Sequence, residues 1–150
     1  KPIIIPEFSL FRLYNSHVAD LLGDSDRGLA FCKKYNYNPS MKLYEWYGKA
    51  NTERVDAKEW EDMFNSRPWF PQHFMKTYYR YFQKYGVVLA TYGYLSQSAP
   101  QQMGPKSPTW FINPIFPMKS LKPQADGSFT PNPLWFNDYT EIVRHGKTKK

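Results

Sequence analysis

At 150 residues, 41% of them hydrophobic, the chain is long enough for one modest domain with its own core and too apolar for a disordered polyelectrolyte. A net charge of +7 and an aromatic content of 19% favour contact with phosphate, anionic lipid or acidic protein surfaces. A single cysteine, Cys32, excludes an internal disulfide and points to a packing role in a reducing compartment.

Residues 1–16 read as an extended N-terminal arm. Pro2 and Pro6 disfavour a helix there. Ile3, Ile4, Ile5, Phe8, Leu10, Phe11, Leu13 and Tyr14 are too apolar for a free tail, so the arm should lie on the chain's own core or on a neighbouring subunit. The Lys1-Pro2-Ile3-Ile4-Ile5-Pro6 opening is not a signal peptide, and the start at Lys1 rather than Met fits a processed organellar protein.

Residues 17–97 read as a helical core. Asn15 or Ser16 is placed to cap a short helix carrying Val18, Leu21 and Leu22, with Gly23 ending it. Ser25 or Asp26 opens a second helix through Leu29, Phe31 and Lys34, with basic residues at its C-terminal end. Asp24-Ser25-Asp26-Arg27-Gly28 resembles the start of a calcium loop, but the glycine falls one position early and Tyr35 stands where the closing carboxylate belongs. Tyr35–Ser40 reads as a turn. Met41, Leu43, Tyr44, Trp46 and Tyr47 form a helix or a strand, which periodicity leaves open. Val55–Asn65 reads as a helix with Trp60, Met63 and Phe64 on its apolar face and a solvated acidic face opposite.

Arg67-Pro68-Trp69-Phe70-Pro71 reads as a rigid aromatic corner, with Pro71 in the first turn of the next helix. That helix is predicted to run from about 71 to 97. Phe74, Tyr78, Tyr81, Phe82, Tyr85, Val88, Leu89, Tyr92 and Leu95 fall on one stripe. Lys76, Arg80, Gln83 and Lys84 hold the other side, and beyond Gly86 the polar side vanishes. Such a helix would be roughly 40 Å long, with an uncharged part of only about 22 Å against a hydrocarbon core near 30 Å. It therefore suits a protein core, a groove in a larger assembly, or a dip into a membrane with the basic end at the surface.

Residues 98–150 read as an irregular arm with a basic tail. Eight of the 13 prolines follow Gln97, and Trp110, Phe111, Phe116, Trp135 and Phe136 stand among them. Such an arm is stiff and adhesive rather than a free linker. Asp126-Gly127 suits a tight turn, and a short helix is predicted from Asn137 to His145.

No zinc spacing, phosphate loop, nucleophile elbow or dinucleotide fingerprint is present in the sequence. His17, His73 and His145 are scattered. The expected fold is mainly α, a small helical core with one long helix and Pro/aromatic-rich arms. The expected function is that of a non-catalytic accessory subunit in a large membrane-associated assembly, of the mitochondrial respiratory-chain or ATP synthase kind, at the inner membrane. It needs no cofactor, and its partners are other protein subunits and anionic lipid. Trp69, Phe70, Lys76, Arg80, Lys84, Trp110, Phe111, Phe116, Trp135 and Phe136 are the expected partner- or lipid-contacting residues. The alternative is a mitochondrial ribosomal or other RNA-binding protein, with Lys76, Arg80 and Lys84 on phosphates.

Overall fold

The computed structural model describes residues 1–8, 10–92, 103–106 and 120–145. The fold is mainly α. Among the described residues the order is β1 (Ile3–Phe8), α1 (Phe11–His17), α2 (Asp26–Tyr35), α3 (Leu43–Glu53), α4 (Ala57–Asn65), α5 (Phe74–Lys84), β2 (Val87–Tyr92) and α6 (Phe136–His145).

Local chemistry explains most of the boundaries. Ser25 caps α2 by accepting the Gly28 amide on its hydroxyl at 3.1 Å, and Asn36 closes it in the left-handed region that Asn tolerates. The 41–47 segment resolves as helix, since α3 carries Leu43, Trp46, Tyr47 and Ala50 on one buried face. Glu45 completes its first turn by accepting from the Lys42 amide at 2.7 Å. The acidic face of α4 is used in part within the fold. Asp62 accepts from Lys34 Nζ and from Tyr35 Oη, and Glu59 accepts from Tyr37 Oη, tying α2 and the turn after it to α4.

The core is an aromatic cluster. Tyr14, Leu22, Phe31, Leu43, Trp46, Trp60, Met63, Phe64 and Phe74 are almost wholly enclosed, and Leu121 joins them from the C-terminal region. Trp60 contacts Trp46, Tyr47 and Phe64 with ring centroids 5.1–5.8 Å apart. Arg67 is enclosed as well. Its guanidinium donates to the backbone carbonyls of Leu21 and Leu22, to Ser66 Oγ, and to Asp24 at 3.1 Å. Burial pushes its pKa down from the ordinary arginine value and the Asp24 carboxylate opposes that shift. Gly28 makes room for this arrangement, since a Cβ there would lie 2.2 Å from the Leu22 carbonyl oxygen and 2.7 Å from Arg67 Nη2.

Several expectations are corrected. The first helix is α1, so the expected arm is extended in its β1 part and helical from Phe11, and the predicted helix through Leu21 is absent; Leu10 and Tyr14 lie in the chain's own core, one of the two surfaces expected for the arm. Helix α5 begins after His73 in a left-handed conformation, so Pro71 precedes it. The described stretch of the predicted long helix does not run on to Tyr92. It ends at Lys84, Gly86 takes a φ of +66°, and Val87–Tyr92 is a strand. The physical reason is the glycine. An L-residue with a Cβ avoids that φ, whereas glycine enters it freely and turns the chain out of the helix. The uncharged run that follows is β-branched-rich at Val87, Val88 and Thr91, which suits a strand.

Candidate functional site

Strand β1 pairs with β2 in parallel, Ile3 opposite Val87, Ile4 opposite Leu89, Ile5 opposite Ala90 and Phe8 opposite Tyr92, with irregularities after Ile3 and between Ile5 and Phe8. Pro6 lies in the second irregularity, where a residue without an N–H cannot donate to the ladder. The Thr91 hydroxyl donates to the Pro6 carbonyl instead. Phe8 anchors the ribbon to α5, its ring centroid 4.8 Å from that of Tyr78 and 5.1 Å from that of Phe82.

The opposite end of the ribbon is uncovered. Ile3 is 47% exposed, Ile4 56%, Val88 66% and Leu89 53%. The first irregularity leaves Val88 as an extra residue between the Ile3–Val87 and Ile4–Leu89 pairs, and the four side chains around it are about half open to solvent. Among the described residues β1 and β2 pair with each other alone, and the sheet has no third strand. Parallel strands are ordinarily buried on both faces, and an isolated two-stranded pair is marginal in water.

Helix α5 supplies the surroundings. Tyr81 and Tyr85, expected on the packing stripe, are more than half exposed, with rings nearly parallel and centroids 6.4 Å apart. Lys84 Nζ lies 5.3 Å from the Tyr85 ring centroid. A groove of about 280 Å³ opens between α5, β2 and α6, lined by Phe8, Met75, Tyr79, Phe82, Tyr139 and Ile142 with residues 87–90 as its wall.

Helix α6 is clamped to α5 by charge. Lys76 Nζ lies 2.6 Å from Glu141 and 3.4 Å from Asp138, and His73 Nδ1 lies 3.0 Å from Asp138. The Glu141 carboxylate raises the Lys76 pKa, and Lys76 lowers that of Glu141. Lys76 is therefore committed within the chain, whereas neither Arg80 nor Lys84 meets a carboxylate among the described residues. No Asp or Glu occurs between Asp62 and Asp126, so α5 and β2 carry no carboxylate, while β1 carries Glu7.

The remaining expected contact residues are placed as follows. Phe70 is enclosed in the chain's own core, its ring against Phe64 and Phe74. Trp69 is half-buried, stacked on His17 at 4.5 Å. Trp135 is half-buried against the core and meets Phe136 and Tyr139 edge-on, while Phe136 is exposed at 39%. Trp110, Phe111 and Phe116 lie outside the described residues. Of the ten, Arg80, Lys84 and Phe136 are thus the described members left open to solvent; Lys84 ends α5 just before β2, whereas Arg80 lines a cavity with Glu141 and His145 between α5 and α6. Sequence reasoning missed Ile3, Ile4, Val88 and Leu89 as a joint surface. The glycine at 86 followed by a β-branched run was the available signal.

Among the described residues no group of three or more His, Cys, Asp or Glu converges as a metal site, and no helix is long and apolar enough to cross a membrane. No protein-family model, curated protein or solved structure matches the chain.

Proposed function

We propose that this protein is a non-catalytic accessory subunit that docks into a larger protein assembly through the open end of the β1–β2 ribbon. The observation that carries the reading is the joint exposure of Ile3, Ile4, Val88 and Leu89 at one end of a two-stranded parallel sheet. A small domain that encloses Trp46 and Trp60 so completely has the means to bury apolar side chains, and it leaves these outside. What supports a membrane-associated assembly, of the mitochondrial respiratory-chain or ATP synthase kind, is the basic, aromatic-rich composition together with tyrosines and cations beside the apolar ribbon.

Native electrophoresis of a mild-detergent extract tests the reading. The chain should migrate with a high-mass complex, and the paired substitutions Val88→Glu and Leu89→Glu should release it while its circular dichroism is unchanged. A parent chain that leaves the native extract as a monodisperse monomer refutes the reading.

A second reading has its own observation. The parallel, exposed Tyr81 and Tyr85 rings with Lys84 and Arg80 alongside suit single-stranded RNA, bases on the rings and phosphates on the cations. Salt-dependent RNA binding by the isolated chain, lost with Arg80→Gln and Lys84→Gln, would favour it over the docking reading.

A further inference from the structure

We infer that the ribbon is an acceptor for an added strand. Its occupant is an extended segment of a partner protein, apolar in alternation and flanked by carboxylates. This rests on the docking reading above and names the partner's form and charge.

Three observations converge. First, the free resource at the site includes backbone as well as side chain. Each strand of a two-stranded sheet has one edge outside the ladder, and among the described residues no hydrogen bond beyond the ladder occupies the backbone of Ile3–Ile5 or Val87–Ala90. Such an edge is a template for another strand. An added strand pairs that backbone in the plane of the sheet and sets its alternate side chains about 5 Å beside those of the edge strand, which a helix or a flat surface cannot do together.

Second, the surroundings fix the charge. The parallel register puts Lys1 and Lys84 at the same end of the ribbon, since Ile3 pairs with Val87. Arg80 stands one helical turn further back on α5, toward Glu141 and His145 of α6, so Lys1 and Lys84 are the cations at this end. Helix α5 and strand β2 contain no carboxylate, Glu7 of β1 lies toward the other end of the ribbon, and the acidic residues of α6 nearest to α5, Asp138 and Glu141, are engaged by Lys76. A segment with carboxylates at its flank finds complementary charge here, and one with lysines is repelled.

Third, the same features weigh against other occupants. A bilayer offers no hydrogen-bonding partner to an open sheet edge, and such edges do not occur in the hydrocarbon region. RNA stacks on aromatic rings, and Ile3, Ile4, Val88 and Leu89 offer none.

A displayed library of short peptides with random sequence, selected on the full chain, tests the inference. Selected peptides should alternate β-branched and polar residues and carry Asp or Glu at one flank. The best of them should slow amide exchange at residues 87–91, and Lys84→Glu should weaken its binding about threefold. Any of four results overturns strand addition: no enrichment, enrichment at helical spacing, basic flanks, or binding that leaves exchange in β1 and β2 unchanged. Binding of the ribbon residues to phosphatidylserine vesicles or to poly(U), or a dimer in light scattering that the ribbon substitutions abolish, overturns it as well. If the parent chain still migrates with its complex while peptides select at helical spacing, docking stands and strand addition falls. A monomer in the native extract removes both.

Discussion

The enclosed Arg67 joins two parts of the chain that are distant in sequence. Its guanidinium holds the loop between α1 and α2 to the end of α4 by donating to the Leu21 and Leu22 carbonyls, with Ser66 Oγ and Asp24 as further acceptors. The side chain is fully enclosed. Arg67→Met keeps much of the volume and removes every donor. The Leu22 carbonyl then loses its guanidinium donor in the interior, a penalty of about 1–3 kcal/mol. The Leu21 carbonyl and Asp24 lie nearer solvent and recover part of their loss. Breaking a buried charged pair costs about 3–5 kcal/mol where the group left behind is also buried, and here the carboxylate is not. We therefore expect a loss of about 3 kcal/mol, which for a domain of this size lowers Tm by roughly 10 °C. Arg67→Lys should recover little of it, because an ammonium cannot span two carbonyls as the planar fork does. Asp24→Asn should cost less than about 1 kcal/mol, the carboxylate being partly exposed. Urea unfolding followed by circular dichroism gives the numbers. If Arg67→Met stays within about 1 kcal/mol of the parent at an unchanged m-value, the enclosed guanidinium is not what holds this loop, and the reasoning fails.

Two further predictions concern acid stability and the turn into the ribbon. Partial burial is the largest influence on Asp62 and raises its pKa, but hydrogen bonds from Lys34, Lys58 and Tyr35 outweigh it and leave the value at about 2. A carboxylate depressed in the folded state contributes stability above its unfolded pKa near 3.9, and that contribution fades as pH falls through 2. Asp62→Asn should accordingly flatten the stability–pH curve between about pH 4 and 2, and a curve parallel to the parent's would exclude this role. Gly86→Ala forces a Cβ onto a φ of +66° with open space around it, so the cost is conformational, about 1 kcal/mol. A gain in stability with added helical ellipticity would instead mean that the helix continues through residues 85–92.

The helical core was legible because its signals are local and redundant. Trp60, Met63 and Phe64 recur at helical spacing on α4, Ser25 caps α2, and α6 lies within a residue of its predicted start. The enclosed guanidinium of Arg67 was not legible. Within the aromatic corner nothing distinguishes an arginine that enters the core from one that stays in water, since its acceptors at Leu21, Leu22 and Asp24 are distant in sequence.

The ribbon was hidden for a different reason, and that reason bears on function. Val88, Leu89 and Tyr92 continue the three- and four-residue steps of Phe74, Tyr78 and Tyr81, so a helical stripe and an uncharged strand share one pattern. The pattern reports which residues avoid water but not which surface receives them. Had the helix continued, Val88 and Leu89 would have extended the stripe. Gly86 turns the chain instead and carries both residues onto a strand beside Ile3 and Ile4, where both stay more than half exposed. The sequence pattern demands burial for these side chains, and the fold withholds it. The β1–β2 ribbon is therefore the place where a partner has most to gain by binding.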